Sequence, residues 1–481
     1  MKLTLYPRVA TADCLRVWAA AFNAVSPPAL HWKLNGKATA PSVVRPMESA
    51  LPPNMLAGNR PRTFAGVFEF SGLDPDRHYN VECKSNGVRE ELESWTLPSQ
   101  VPEGLNNWFH ILLVSCFYGA QDKRGLAGFV ANEIRQAIRP HLTLFLGDQV
   151  YLDLPTLQNL PNDMIRLAEN FETKYVTNWG SPLGLARLLK AAPSAFLSDD
   201  HEYWNNFPHA ATVVQHSWTE EGRRRWRLPA SRLYEAFQLS APAKSGAAVT
   251  VDVPPLSIFL ADTRTFRDPD CRHSMQPGAL NQLRAWVDHI LARQMFGVFV
   301  TGQSMFDPPT SWFQGRFVDR HLADYGDYAA ISVELEKLTK SGRPVLFLTG
   351  DVHWGRVMAG RSQVTGRPVA YEVISSPASL VSAIGADQLA TLGSGIAGLF
   401  GKKNKWPRHS DPKKAPEHFK LNETVCHFET LQRQKGNHLA TLSFNRIGES
   451  LLSMVRYWEI DPDRGYTGPT NPVLFHLRPE T

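Results

Sequence analysis

The sequence predicts a layered α/β domain, with mixed β-sheets flanked by helices, preceded by a small all-β sandwich. Three observations carry this prediction. The first hundred residues alternate apolar and polar side chains between turn signals; after His110, short apolar runs alternate with segments of helical periodicity; and several of those runs stop abruptly at Gly, Asp, Cys or His. At 481 residues, with 43% hydrophobic and 10% aromatic content, the chain exceeds one ordinary core, so two domains are expected, at 1–103 and 104–481.

In the first domain, residues 14–19, 30–34, 63–70 and 78–83 read as half-buried strands separated by turns such as Asn35-Gly36 and Asp74-Pro75. The stretch Gly72-Leu-Asp-Pro-Asp-Arg-His-Tyr79 resembles the corner of fibronectin type III-like modules, and residues 98–104 supply the linker. No chemistry is visible there.

The second domain opens with an apolar strand at 111–116, a helix over 128–138, and a strand at 142–146 whose aliphatic residues suit cover on both faces. That strand stops at Gly147-Asp148, placing the carboxylate at its carboxyl end, with Tyr151 three residues on. Further buried strands are expected at 257–262, 297–302 and 344–351, and helices at 278–293 and 328–339. The run Arg223-Arg-Arg-Trp-Arg227 reads as a solvated helix face rather than a nucleic-acid patch. Residues 384–420 are Gly-rich, then Lys- and Pro-rich, and read as a long mobile loop that acts as a lid or touches a membrane through 395–403. Strands at 439–444 and 451–460 close the chain.

Net charge of +5 is small for this length, so composition implies no nucleic-acid partner, although a mildly basic surface suits an anionic substrate. Five cysteines without paired C-x-x-C spacing argue against a disulfide framework and a Cys-rich zinc site. The start lacks the long apolar core of a signal peptide and no run reaches the length of a membrane span, so a cytoplasmic protein is the default unless an export signal has been trimmed.

Four predicted strand ends carry metal-type ligands: Ser115-Cys116, Gly147-Asp148-Gln-Val-Tyr151, Asp199-Asp200-His201-Glu-Tyr-Trp-Asn205-Asn206, and Gly350-Asp351-Val-His353. Each has a structural reading: a small buried hydrophobe for Cys116, a helix cap for Asp199 and Asp200, a core imidazole for His353. Strand ends in one α/β sheet converge on one edge, however, and acids gathered so closely need a cation to neutralise them. Thiolate, tyrosinate, carboxylate and imidazole suit ferric iron, whereas carboxylates with Asn suit calcium, manganese or magnesium. Two ions sharing a carboxylate grip both attacking and leaving oxygens of a phosphoryl displacement, which makes a phosphate ester the natural substrate.

The ordered set Ser-Cys, Gly-Asp-x-x-Tyr, Asp-Asp-His-Glu with a following Asn, Ala-Asp-Thr-Arg-Thr-Phe-Arg, and Gly-Asp-Val-His resembles the alkaline phosphatase D family of metallophosphatases over nearly the whole chain. The resemblance implies a metallophosphoesterase-type domain after an amino-terminal β-sandwich, with Fe3+ held by Cys116, Asp148, Tyr151 and His353. It implies a divalent ion (Ca2+, Mn2+ or Mg2+) held by Asp148 as bridge, Asp200 and Asp351, with Asn205 or Asn206 completing the set. His201 matches the histidine that contacts phosphate or protonates the leaving group, and Arg264 and Arg267 are candidates for clamping phosphate oxygens. The implied reaction is hydrolysis of phosphate monoesters, diesters or both by in-line attack of a metal-bound hydroxide. A cysteine hydrolase using Cys116, and a non-catalytic binding protein on a phosphatase scaffold, stand as alternatives; the surrounding carboxylates disfavour the first by raising the thiol pKa.

Overall fold

The computed structural model describes residues 1–58, 60–104, 106–155, 161–211, 214–240, 246–310, 319–379, 412–414, 416–461 and 463–479. The first part of the chain forms β1 (Lys2–Arg8), β2 (Cys14–Ala24), β3 (His31–Leu34), β4 (Lys37–Ala38), β5 (Ser42–Ser49), β6 (Arg62–Ser71), β7 (His78–Ser85) and β8 (Val88–Trp95). There follow β9 (Phe109–Val114), α1 (Leu126–Ile138), β10 (Leu142–Leu146), α2 (Met164–Gly180), α3 (Leu185–Leu189), β11 (Ser194–Leu197) and α4 (Glu220–Phe237). The next stretch holds β12 (Val249–Val253), β13 (Leu256–Leu260), α5 (Ala279–Arg293), β14 (Phe296–Val300), α6 (Tyr328–Lys340) and β15 (Val345–Thr349). The chain ends with β16 (Gly355–Ser362), β17 (Pro368–Ile374), β18 (His418–Leu421), β19 (Thr424–Gln434), β20 (Asn437–Ile447), β21 (Ser450–Asp461), β22 (Gly465–Pro469) and β23 (Val473–Leu477).

Two large sheets stack face to face. One runs β22-β21-β20-β9-β10-β11-β1-β2-β6-β5 with β23 beside β21, the other β12-β13-β14-β15-β17-β16-β19-β18. Alternation along each strand assigns the faces. Leu142, Leu144 and Leu146 of β10 meet Ile258, Leu260, Val298 and Leu348 in the core between the sheets. Phe145 turns outward under α1, α2 and α4, and Phe259, Phe299 and Phe347 turn outward under α5 and α6. The result is helix, sheet, sheet, helix, the layered α/β architecture that the sequence predicts.

The amino-terminal strands make a sandwich of their own. Leu3, Leu5, Val17, Ala19, Phe68 and Phe70 face Trp32, Val81, Cys83 and Leu92 of the four-stranded sheet β4-β3-β7-β8. At the Gly72–Tyr79 corner, the Asp74 amide donates to Tyr79 Oη at 2.9 Å. The sandwich also continues a large sheet, because β1 pairs parallel with β11 through Arg8 and Ser194. Its other face carries Tyr6, Trp18 and Phe22 into the core under α4. Of the expected loop 384–420, residues 384–411 and 415 lie outside the described residues, and its last three residues belong to β18. The 223–227 run lies in α4, where Arg224 and Arg225 pair with Glu221 while Trp226 is buried.

Candidate metal centre

The parallel strands β9, β10, β11, β13, β14 and β15 all release their chains at one end of the two sheets, and the candidate residues collect there. The turns that follow are unusual. Cys116, Asp148, Asp351 and His353 all adopt left-handed backbone, with φ of 53°, 59°, 64° and 60°. That conformation costs a non-glycine residue about 1–2 kcal/mol, so the surrounding structure must hold it in place. Gly147, at φ 102°, precedes Asp148, and a Cβ there would lie 2.5 Å from Asp199 Cβ. Only glycine lets the β10 and β11 turns approach so closely.

Hydrogen bonds fix these turns to one another. The carboxylate of Glu202 accepts from the amides of Asp148 at 2.9 Å, Gln149 at 2.6 Å and Asp199 at 2.8 Å, and from Gln238 Nε2 at 3.1 Å. Ser115 Oγ accepts the Asp351 amide at 3.1 Å, and Ser376 Oγ accepts the His353 amide at 3.1 Å. Both hydroxyls also lie 3.1 Å from Cys116 Sγ. Glu202 lay in plain view within the Asp-Asp-His-Glu motif, but its partners belong to other loops, so its part could not be read from the chain.

Three groups of ligand atoms result, each within 4.8 Å: Cys116, Asp148 and His353; Asp148, Asp200 and His201; and Asp148, Asp199, Asp200 and Asp351. Asp148 belongs to all three. Tyr151 is buried beside them, its ring centroid 4.2 Å from that of His201, and its phenol oxygen is buried without a hydrogen-bond partner among the described residues. Asn205 is half-buried; its amide donates to Asp153 Oδ2 at 2.9 Å, and the Asn206 amide donates to Asp200 Oδ2 at 2.7 Å. Asp199, part of the Asp-Asp-His-Glu motif but given no ion by the resemblance, joins the acidic group.

The electrostatics call for a cation. Burial pushes the Asp148 carboxyl well above the carboxylate range; His201 opposes this, and Asp200, Glu202 and Asp351 add to it. Burial, with Asp200 and Asp319, pushes Asp351 up to about 7. The Cys116 thiol is driven well up by burial and by Asp148 and Asp351. Asp199 Oδ2 and Asp200 Oδ1 are buried without a hydrogen-bond partner among the described residues. Oxygens left so, between carboxylates that repel one another, are what coordination would satisfy, and the mixed S, N and O donor set around Asp148 fits metal ions.

His201 behaves differently. Its Nδ1 lies 2.7 Å from Asp153 Oδ1, and its Nε2 lies 4.0 Å from Asp200 Oδ1. Burial works against the charged ring, yet Asp153, Asp200 and Asp148 together raise its pKa well above the ordinary imidazole value. Asp153, absent from the sequence reading, closes the Gly147–Asp153 segment that the motif only began.

Arg264 and Arg267, the two candidates for clamping phosphate oxygens, lie in a network of buried acids. Arg264 Nε donates to Asp199, Nη1 to Phe207 O at 2.9 Å and Asp319 Oδ1 at 3.0 Å, and Nη2 to Asp319. Arg267 sits a layer further out, donating to Gln303 Oε1 at 2.6 Å and stacking on Tyr325 at 4.7 Å. Gln303 Nε2 in turn donates to Asp319 and, at 3.1 Å, to Asp351 Oδ2. Asp262 organises this turn by accepting from the amides of Arg264 and Thr265.

No protein-family model matches the sequence, and no curated protein matches it. Among solved structures, the one titled "Structure of PhoD" aligns over 99% of this chain and 90% of its own, with a TM-score of 0.59 and 14% identity. The chain has the PhoD fold. A dimetal phosphatase from Danio rerio aligns over 77% of this chain and 99% of its own, with a TM-score of 0.40 and 10% identity. GAP50, described as the anchor in the inner membrane complex of Plasmodium, aligns over 78% and 90%, with a TM-score of 0.35 and 10% identity. The alignment spans both the amino-terminal strands and the layered part of this chain.

Proposed function

We propose that the protein is a metal-dependent phosphoesterase with a two-ion centre bridged by Asp148. The observation that carries this reading is that every ligand-type group at the strand ends shares Asp148, in a fold that aligns with PhoD along its length. On this reading Cys116, Tyr151, His353 and Asp148 hold an iron ion. Asp148, Asp200 and Asp351, with Asn205 or Asn206, hold a divalent ion such as Ca2+, Mn2+ or Mg2+. Bound cations would supply Lewis-acid polarisation of the phosphoryl oxygens and a water acidified toward neutral pH.

The chain's own groups do the rest. His201, held through Nδ1 by Asp153, carries a proton and delivers it from Nε2 to the departing alcohol. Arg264 positions Asp199 and Asp319, while Gln303 links Asp319 to Asp351, so these residues orient acids around the centre. On this reading Cys116 acts as a ligand: a thiol whose pKa is pushed up by burial and two carboxylates is a poor nucleophile, whereas a bound cation would displace its proton to water and hold the thiolate, which disfavours the cysteine hydrolase.

Metal-depleted protein reloaded with defined ions, then assayed on a phosphate monoester and a diester, tests the proposal. Hydrolysis that follows metal loading supports it; hydrolysis undiminished by full chelation would sink it. No helix among the described residues is long and apolar enough to cross a membrane.

A further inference from the structure

Two serines from strands remote in the sequence meet on the Cys116 sulfur. Ser115 follows β9 and Ser376 follows β17, and both are buried together with Cys116. Ser115 Oγ and Ser376 Oγ each lie 3.1 Å from Cys116 Sγ. Each hydroxyl oxygen also accepts an amide of the turn after β15, Ser115 that of Asp351 and Ser376 that of His353, both at 3.1 Å. Accepting an amide occupies the oxygen and leaves its proton to be placed. Among the described residues, Cys116 Sγ is the acceptor within reach of both protons. Two O–H donors therefore converge on one sulfur.

The backbone around them keeps the hydroxyls in place. The Ala378 amide donates to Ser115 O at 2.8 Å and the Ser379 amide to Cys116 O at 3.2 Å, so the segment after β17 is tied to the turn after β9. The Cys116 amide in turn donates to Gly147 O at 3.1 Å. A Cβ at Gly350 would lie 2.3 Å from Ser115 Oγ and 2.8 Å from Leu146 O, so the glycine leaves the space that the hydroxyl occupies. Accepting the two amides would by itself hold the turns, but it would not require both hydroxyls to end on the same sulfur. That sulfur lies 3.5 Å from Asp148 Oδ2 and forms one candidate ligand group with Asp148 and His353.

We infer that Ser115 and Ser376 are positioning residues for the Cys116 ligand, donating both hydroxyl protons to its sulfur when a cation is bound. This role rests on the reading of Cys116 as a metal ligand. A thiolate in this interior carries charge that the cation alone would otherwise balance, and hydrogen bonds to a charged acceptor are the strong ones. They fix where the sulfur stands relative to Asp148 and His353, and they draw electron density from it, so that it donates less to the ion. The two serines thus set both how firmly the thiolate is held and how much charge it passes to the metal.

Co2+ is the probe, because a thiolate bound to it gives a charge-transfer band whose energy reports electron donation by the sulfur. Metal-depleted protein is reloaded with Co2+, metal content is measured on each sample, and the band is assigned by its loss in Cys116→Ser. In Ser115→Ala and in Ser376→Ala the band should move to longer wavelength, and further in the double variant. Co2+ affinity, measured by competition with a chelator, should fall about 10- to 100-fold. Ser376→Thr, which keeps the hydroxyl, should retain the parent band position. A band that stays in place in both alanine variants at equal Co2+ content would overturn the inference, since hydroxyls that only hold the turns would change occupancy and not band energy. Absence of the band from the parent would overturn it as well, by removing Cys116 from the ligands. A band that shifts as expected in a protein that hydrolyses no phosphate ester would support the role of the serines and sink the phosphoesterase reading.

Discussion

Asp153 Oδ1 and His201 Nδ1 lie 2.7 Å apart with both side chains buried, so a carboxylate fixes the imidazole on the side away from Asp200. Asp153→Asn keeps the shape and removes a charge that raises the His201 pKa. If the ring is the proton donor, kcat should fall by about 10²-fold for an alkyl phosphate, whose alcohol leaves badly unprotonated, and far less for 4-nitrophenyl phosphate. His201→Ala should show the same dependence on leaving-group pKa. A uniform loss across leaving groups would point instead to misplacement of Asp200.

Tyr151→Phe separates iron from other ions. Tyrosinate bound to ferric iron absorbs visible light, so iron-loaded protein should be coloured and the variant should lose the band. Metal content measured on the same samples completes the test, because loss of colour with iron retained identifies the phenol as the ligand. Colour retained in the variant would assign the absorption to the Cys116 thiolate.

Glu202→Ala should be among the most destabilising substitutions in the chain. It strands the amides of Asp148, Gln149 and Asp199 in the interior, each at a cost of about 1–3 kcal/mol. Gly147→Ala should cost comparably, because its φ of 102° and the 2.5 Å approach to Asp199 leave no room for a methyl group. Thermal unfolding checks both. Metal content should fall in Gly147→Ala even where the protein remains folded, since the two turns that meet there carry Asp148 and Asp199.

What the sequence discloses and what it hides follow from one physical distinction. Apolar runs and their abrupt polar ends are local, and strand ends in such sheets share an edge, so the grouping of Cys116, Asp148, Asp200, Asp351 and His353 is legible from the chain. The partners of Arg264 are not. Its commitment to Asp199 and Asp319 depends on carboxylates brought from distant loops, and an arginine after Ala-Asp-Thr looks the same whether it binds phosphate or an acid. Asp153 is hidden for a similar reason: it follows Tyr151-Leu152 with no spacing that announces a histidine partner. The two parts of the chain are continuous in one sheet because β1 pairs with β11, far on in the sequence, through Arg8 and Ser194. Pairing between segments so remote leaves no local pattern.

Glu336 gives a stability prediction away from the centre. Its carboxylate accepts from Asn422 Nδ2 at 2.6 Å, the amides of Glu423 at 2.9 Å and Thr424 at 2.7 Å, and Thr424 Oγ1 at 2.8 Å, so α6 pins the turn between β18 and β19. Burial opposes the charge, but the hydrogen bonds from Asn422, Lys340 and Thr424 outweigh it and hold the carboxyl at about 2, below its ordinary 4.5. A depressed carboxyl pKa contributes stability that is complete above the unfolded value and lost as pH falls through the folded one. Unfolding free energy should therefore decline between pH 4.5 and about 2 through this group. Glu336→Gln should lower stability by about 1–3 kcal/mol at pH 7, since a neutral amide replaces a carboxylate facing several donors. The difference between variant and parent should then shrink as the pH approaches 2, where the parent carboxyl protonates as well. Denaturant melts of both proteins across that range measure it, and a gap that stays constant would show that the charge on Glu336 is not what holds the turn.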